Sequence, residues 1–160
     1  MSAATAQIYL ALTLIPCLIT MWKDLSQMRI PNLVSIAMIV IFAVTAPFLL
    51  EWSEILRQVL FAVGLFVILF IFYLTGAVSA GDVKFASTMV LFVDLGDATF
   101  FFRNLGLIAL AGLLAHIIVK NIPALRNLAP EWQSWKVKGV FPYGLALSAS
   151  LIFYLITRSI

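Results

Sequence analysis

Two aspartates stand in an otherwise apolar sequence at positions where a chemical role is expected. Asp24 follows the first apolar run, and Asp82 lies between two later runs, after a stretch of small residues. A charge at bilayer depth costs roughly 2.5 to 3.5 kcal/mol on insertion scales, so acids there usually face water or the protein interior and serve a function. Taken singly, each has a simpler explanation: Asp82 as a helix N-cap, and Asp24 as an ion-pair partner of Lys23 or Arg29.

Together the two acids can perform general acid–base chemistry. Two carboxylates that share a proton cannot both ionise easily, so one acts as a base toward water while the other donates to a carbonyl oxygen. Such an aspartic-peptidase mechanism needs no metal and no cofactor, which suits a chain with one histidine and one cysteine, Cys17. Helix polarity favours Asp82 as the ionised carboxylate, because it lies near a predicted helix N-terminus whereas Asp24 lies near a C-terminus.

Transmembrane helices are the elements that must position these acids. The chain of 160 residues is 64% hydrophobic and 11% charged, whereas soluble proteins are about 25% charged. About 20 mainly apolar residues cross a bilayer. The sequence therefore predicts an all-α, polytopic integral membrane protein with about six spans, at Gln7–Trp22, Leu33–Leu50, Ile55–Thr75, Val83–Val93, Phe100–Val119 and Val140–Ile156. The short fourth span is expected either to extend through Leu95 and Gly96 or to be shielded by its neighbours.

Charge distribution predicts the orientation. Six spans put both termini on one side of the membrane. With the termini outside, the inner segments hold seven basic residues and the outer segments three; the inner ones are Lys23, Arg29, Lys84, Lys120, Arg126, Lys136 and Lys138. Because basic residues concentrate in cytoplasmic loops, Asp24 and Asp82 are both expected at the cytoplasmic face. The dispersed basic residues form no stripe, which argues against a nucleic-acid partner.

Three motifs carry a family resemblance. The run Ser79-Ala-Gly81-Asp82-Val-Lys84 is similar to the Gly-x-Gly-Asp signature of membrane aspartic proteases, with Ser79 in place of the first glycine. Asp24 precedes Arg29-Ile-Pro31-Asn32, and Pro142-Tyr143-Gly144 opens the last span. In this order and spacing, over the whole chain, the motifs resemble the type IV prepilin peptidase family. The resemblance implies catalytic roles for Asp24 and Asp82 and supporting roles for the other motif residues.

The resemblance also implies a substrate and a location. The expected substrate is the cytoplasmic leader of a prepilin or pseudopilin, cut next to its hydrophobic helix in the bacterial inner membrane. The N-methyltransferase insertion of the long bifunctional forms, with its paired Cys-x-x-Cys, is not in the sequence. Residues 1–160 are therefore expected to form one membrane-embedded peptidase domain, like the compact enzymes of Tad/Flp pilus systems. The oligomeric state stays open.

Two other functional classes remain possible from the residues themselves. A small proton- or cation-coupled transporter would use the same acids as a relay or ion site. A noncatalytic assembly subunit would use its polar residues only to hold helices together.

Several further residues can be interpreted as structural or as functional. The loop Asn121–Gly139 is expected to be a tryptophan-anchored interfacial segment or a substrate-docking surface. His116 is expected to be a packing residue or a substrate contact. Asp94 and Asp97 are expected to be solvated loop acids, with burial as the alternative for Asp94 because the fourth span is short.

Overall fold

The computed structural model describes residues 1–137 and 140–160; Lys138 and Gly139, at the end of the predicted loop, lie outside the described residues. Within these ranges all regular structure is helical, as expected. The α-helices are α1 Ala3–Gln27, α2 Asn32–Leu49, α3 Trp52–Leu74, α4 Ala80–Met89, α5 Ala98–Asn121, α6 Pro123–Arg126, α7 Gln133–Lys136 and α8 Tyr143–Ser159. Two 3₁₀ turns, Val90–Phe92 and Leu95–Asp97, connect α4 to α5.

Four segments are long and apolar enough to cross a bilayer: α1, α2, α3, and α5 together with the 3₁₀ turn that precedes it. They correspond to the first, second, third and fifth predicted spans. The other two predicted spans correspond to α4, with 10 residues, and α8, with 17. At about 1.5 Å per residue these helices measure roughly 15 and 25 Å, so both are shorter than a hydrocarbon core of about 30 Å.

The short helix α4 lies in the middle of the bundle. Phe85 and Met89 are buried, as is the whole 3₁₀ turn that follows. Phe92 packs edge-on against Tyr9 of α1 at 5.0 Å and against Phe42 of α2 at 5.8 Å between ring centroids. The second alternative for this span is therefore confirmed: α4 is shielded by its neighbours, and its helix stops at Met89.

Local sequence sets the two turns that carry the acids. α1 ends at Met28, which adopts a left-handed conformation (φ 53°), and Pro31 precedes the first residue of α2. Gly76 (φ 77°) turns the chain after α3, a conformation that glycine adopts without steric cost. Ser79 then caps α4, its Oγ accepting a hydrogen bond from the Asp82 N–H at 3.2 Å.

The opposite end of the bundle gathers both chain termini. The N-terminal ammonium forms an ion pair with Asp94 at 2.8 Å, and Arg158 forms one with Asp97 at 2.6 Å. Tyr154 donates its hydroxyl to Asp97 at 2.9 Å. The prediction of a solvated acid was wrong for Asp97, and for Asp94 the structure favours the alternative of burial, because both side chains are partly buried and paired. These contacts fix the short connection between α4 and α5 against α1 and α8.

Candidate active site

Asp24 lies in the last turn of α1 and is 5% exposed. Its Oδ2 accepts a hydrogen bond from the Gly144 N–H at 2.6 Å. Gly144 is the second residue of α8, where backbone N–H groups have no partner within the helix. The first and last long helices of the fold are thus joined at the carboxyl that the sequence singled out.

Gly144 is required by the closeness of this contact. A β-carbon at this position would lie 2.9 Å from Asp24 Oδ2, and 3.0 Å from both Ile30 Cδ1 and Thr20 Cγ2. Two of these neighbours belong to packed apolar side chains or methyl groups that have little room to move. The glycine of the Pro142-Tyr143-Gly144 motif therefore provides space for the aspartate.

Asp82 lies in the first turn of α4 and is half-buried. Burial raises the pKa of its carboxyl, and hydrogen bonds from the side chain and backbone of Ser79 oppose that shift. Ser79 thus has a role that a glycine lacks, since its hydroxyl both caps α4 and contacts the acid. Ser79, which stands in place of the first glycine of the Gly-x-Gly-Asp signature, therefore still allows a helix to begin here.

The turns after α1 and before α4 pack directly on each other. A β-carbon at Gly81 would lie 3.2 Å from Ile30 Cβ and 3.5 Å from the Ile30 backbone nitrogen and oxygen. At the surface, Lys84 Nζ donates a hydrogen bond to Asn32 Oδ1 at 3.0 Å. Residues of the two predicted motifs therefore contact each other, and the contacts bring Asp24 and Asp82 to the same end of the bundle.

Asp24 and Asp82 line one cavity of about 730 Å³. Its wall is formed by the end of α1, the segment 76–79, the start of α4, the last turns of α5 and residues 140–143. Both carboxyls face this one space, and like charges brought together disfavour the ionisation of both. A second groove, of about 540 Å³ between α2 and α3, has an almost wholly apolar lining without an ionisable side chain. The first cavity is therefore the candidate active site.

His116 forms part of this cavity wall and is 7% exposed. Its ring stacks on Trp135 with centroids 4.9 Å apart, and it meets Phe141 edge-on at 6.1 Å. The stacking agrees with the packing interpretation of His116, while its place in the cavity wall and its Nε2, which is unpaired within the described part of the chain, agree with the substrate-contact interpretation. Trp135 in turn stacks on Trp132 at 5.5 Å. The loop after α5 is therefore anchored on the cavity wall through its aromatic side chains.

The remaining predicted motif residues lie in different places around the site. Pro31 and Pro142 precede the first residues of α2 and α8, where the fixed φ of proline suits a helix start. Tyr143 is 53% exposed and lines the cavity. Arg29 is exposed and is not among the residues that line the cavity.

Some cavity residues were not singled out from the sequence as site residues. Met28 lines the cavity at the end of α1, and Leu113, Ile117 and Lys120 contribute from α5. Lys120 also donates from Nζ to the Val137 carbonyl at 3.0 Å. Their spacing of three to four residues along α5 matches one helix face, but on an apolar helix this pattern also describes packing against lipid.

Comparison with known proteins supplies an independent observation. The model of the type IV leader peptidase family matches residues 11–120, more than half of the chain. The chain belongs to the type IV leader peptidase family. No curated protein and no solved structure gives a significant match.

Membership of the type IV leader peptidase family agrees with the geometry. The matched region contains both Asp24 and Asp82 and ends before Pro142-Tyr143-Gly144. That third motif is nevertheless tied to the first by the Gly144–Asp24 hydrogen bond. A protease needs a site that activates water, and two carboxyls in one cavity have the chemistry for it.

Proposed function

We propose that the protein is a membrane aspartic endopeptidase that cleaves the cytoplasmic leader of Flp-type prepilins or pseudopilins. The observation that carries the proposal is the shared cavity of Asp24 and Asp82 in a chain of the type IV leader peptidase family. The transporter alternative would place its acids along a path through the bundle, whereas these two lie together at one end.

The two aspartates act as one catalytic unit. One carboxylate removes a proton from a water molecule as the water attacks the scissile carbonyl carbon, while the other, protonated, donates to the carbonyl oxygen. The tetrahedral intermediate then collapses, the C–N bond breaks, and the leaving amine takes a proton from the acid that now holds it. The Gly144 N–H holds Asp24 during this exchange, and Ser79 holds Asp82.

Helix polarity does not assign the base. The sequence suggested Asp82, because Asp24 ends its own helix; however, the N-terminus of α8 donates directly to Asp24. Both acids therefore lie at helix N-termini, where partial positive charge favours ionisation. The two carboxyls titrate together, so neither can be assigned as the base from its own helix alone.

The substrate enters the cavity as extended chain. A transmembrane helix satisfies its own backbone groups, so a segment that leaves the helix to be cut needs polar partners that lipid does not offer. The cavity supplies carboxyl groups, together with apolar side chains such as Leu113 and Ile117. This division suits a cleavage site between a polar leader and an apolar helix.

The proposed topology has six membrane segments in one peptidase domain, with α4 and α8 as the two short ones. Both termini lie outside, and the active site faces the cytoplasm of a bacterium from its inner membrane. Support comes from two observations. The two termini meet at the end of the bundle opposite Asp24 and Asp82, and the segments at the end that carries these acids hold most of the basic residues.

Coexpression with a Flp-type prepilin tests this function. The proposal expects a shorter pilin whose new N-terminus, read by mass spectrometry, lies next to its hydrophobic helix. The matched control is the same prepilin expressed alone. Full-length prepilin in both samples, with the enzyme present in the membrane at normal level, would contradict the assigned substrate class.

A further inference from the structure

Two buried hydroxyl groups lie between α1 and α8 without a protein partner. Thr20 and Ser148 are both 0% exposed, and neither hydroxyl has a hydrogen-bond partner among the described residues. Other buried hydroxyls in the same helices behave differently: Thr13 donates to the Tyr9 carbonyl at 2.7 Å, and Ser150 donates to the Ala146 carbonyl at 2.7 Å. Donation to the preceding turn is thus available here but is not used by Thr20 or Ser148.

Their positions relate them to the Asp24–Gly144 contact. Thr20 lies four residues before Asp24 on α1, and Ser148 lies four residues after Gly144 on α8. Residues four apart are neighbours on one helix face, so both hydroxyl-bearing residues lie one turn deeper in the bundle than the aspartate. Contact confirms the placement, because Thr20 Cγ2 is 3.0 Å from where a Gly144 β-carbon would stand.

A third polar group completes this layer. The thiol of Cys17, one turn before Thr20 and 0% exposed, lies beside the Ser148 side chain without forming a hydrogen bond to it. A thiol is a poor hydrogen-bond partner for a hydroxyl, so the Ser148 hydroxyl can still donate and accept hydrogen bonds. Buried polar groups in folded proteins are generally paired, either with protein or with an ordered water that makes two to four hydrogen bonds.

We propose that Thr20 and Ser148 bind one water molecule between α1 and α8, and that this water positions the Asp24 carboxyl. The water bridges the two hydroxyls and donates a hydrogen bond to Asp24 from the side opposite the catalytic cavity. The carboxyl is then fixed by two donors, the water and the Gly144 N–H. Thr20 and Ser148 are positioning residues that act through Asp24.

The catalytic meaning of this water rests on the proposed function, but the water site itself does not. Infrared spectroscopy in H₂¹⁶O and H₂¹⁸O detects a buried water directly, and the Asp24 carboxyl band is assigned with Asp24→Asn. Both measurements use the full-length protein in lipid without substrate. They therefore give a result even if the prepilin is never cleaved.

Four substitutions test the proposal, together with one that retains the hydroxyl. Thr20→Val and Ser148→Ala should each remove the isotope-sensitive water band and shift the Asp24 carboxyl band, whereas Thr20→Ser should retain both. Thr13→Val and Ser150→Ala are matched controls with satisfied hydroxyls, and they should leave the spectrum unchanged. Prepilin cleavage should show kcat about tenfold lower for the first two variants, the equivalent of one hydrogen bond, with KM unchanged.

The outcomes separate the two claims. A water band that persists in both Thr20→Val and Ser148→Ala, or an Asp24 band that does not move, would overturn the water site. Equal losses of kcat in the matched controls would make the effect one of packing and would also overturn it. Full cleavage by Asp24→Asn would contradict the proposed function while leaving the water result intact.

Discussion

At the residue scale, Asp24 is held by one short backbone hydrogen bond in a space that only glycine leaves open. The carboxyl, the Gly144 N–H and the two methyl groups beside them fill this space. The contact explains why a motif near the end of the chain belongs to the same site as an acid in the first helix. It also makes the site sensitive to a single carbon atom.

Gly144→Ala should therefore lower cleavage strongly without preventing insertion. A β-carbon 2.9 Å from Asp24 Oδ2 must displace the carboxyl, and a misplacement near 1 Å costs about a hundredfold in rate. The measurement is initial cleavage rate at equal amounts of enzyme in the membrane. Gly106→Ala is the matched control, because no atom lies within 4 Å of its added carbon. Equal rates for the two variants would show that the close contact is unimportant.

The buried state of Asp82 predicts a pH-dependent stability. Burial raises the pKa of this carboxyl, so the folded protein binds the proton more tightly than the unfolded chain does. Its ionisation therefore destabilises the fold as pH rises from the unfolded value near 4 through the folded value. Asp82→Asn lacks this ionisation, and its Tm relative to the wild type should rise over the same range.

Thermal unfolding in detergent at a series of pH values measures this difference. Glu131→Gln, which alters an exposed loop acid, serves as the control, and the difference between its Tm and that of the wild type should stay nearly constant across the series. A Tm difference between Asp82→Asn and the wild type that stays constant from acidic to neutral pH would contradict the claim that burial disfavours the ionisation of Asp82.

At the scale of elements, hydropathy was sufficient to locate the six longer helices but not the two single-turn helices α6 and α7. Six predicted apolar spans correspond to α1, α2, α3, α4, α5 and α8, because a run of apolar residues in a membrane has to satisfy its backbone by forming a helix. The ends were less predictable. α1 continues past Trp22 to Gln27, since polar residues extend a helix beyond the apolar run without penalty.

Contacts between distant elements could not be predicted from the sequence. The interpretation of Asp24 considered only its own helix and so missed the N-terminus of α8, which is 120 residues away along the chain. The pairing of Asp94 and Asp97 was missed for the same reason. Motif spacing identified which residues to examine, but only the packing shows which helix end reaches which carboxyl.

The loop between α5 and α8 offers a test at this scale. Trp135 stacks on His116 in the cavity wall, and its Nε1 donates to the Ala129 carbonyl at 2.8 Å. Trp135→Leu should loosen the loop, so trypsin should cut after Arg126 several times faster, roughly in proportion to the more frequent local opening. Trp52→Leu, at a side chain that is 79% exposed, is the control. Unchanged digestion in Trp135→Leu would show that the stacking does not hold the loop.

At the scale of the whole molecule, the bundle has two chemically different ends. One end carries the acidic cavity, and the other carries both termini with the Arg158–Asp97 ion pair. The deeply buried, short α4 lies between them and connects the two. In such an arrangement the candidate active site lies at one end of the bundle, and the ion pairs that fix the positions of the helices lie at the other.

Cysteine labelling tests the proposed orientation. Single cysteines in a Cys17→Ser background report on each end: Glu51→Cys and Ile160→Cys should react with an impermeant maleimide in intact spheroplasts, whereas Gln27→Cys and Leu128→Cys should react only after permeabilisation. The exposed positions make all four accessible to water or to the membrane surface. The Cys17→Ser protein itself is the blank. The reverse pattern would place the acids outside the cell and contradict the assigned topology.

The most direct test of the central claim is cleavage of a Flp-type prepilin by purified enzyme in liposomes, with Asp24→Asn and Asp82→Asn compared at equal amounts. The amide keeps the shape of each carboxyl but cannot transfer its proton, so both variants should lose at least about a thousandfold in rate. Glu131→Gln should cleave as the wild type does. Cleavage by either aspartate variant at a rate within tenfold of the wild type would contradict a two-aspartate site.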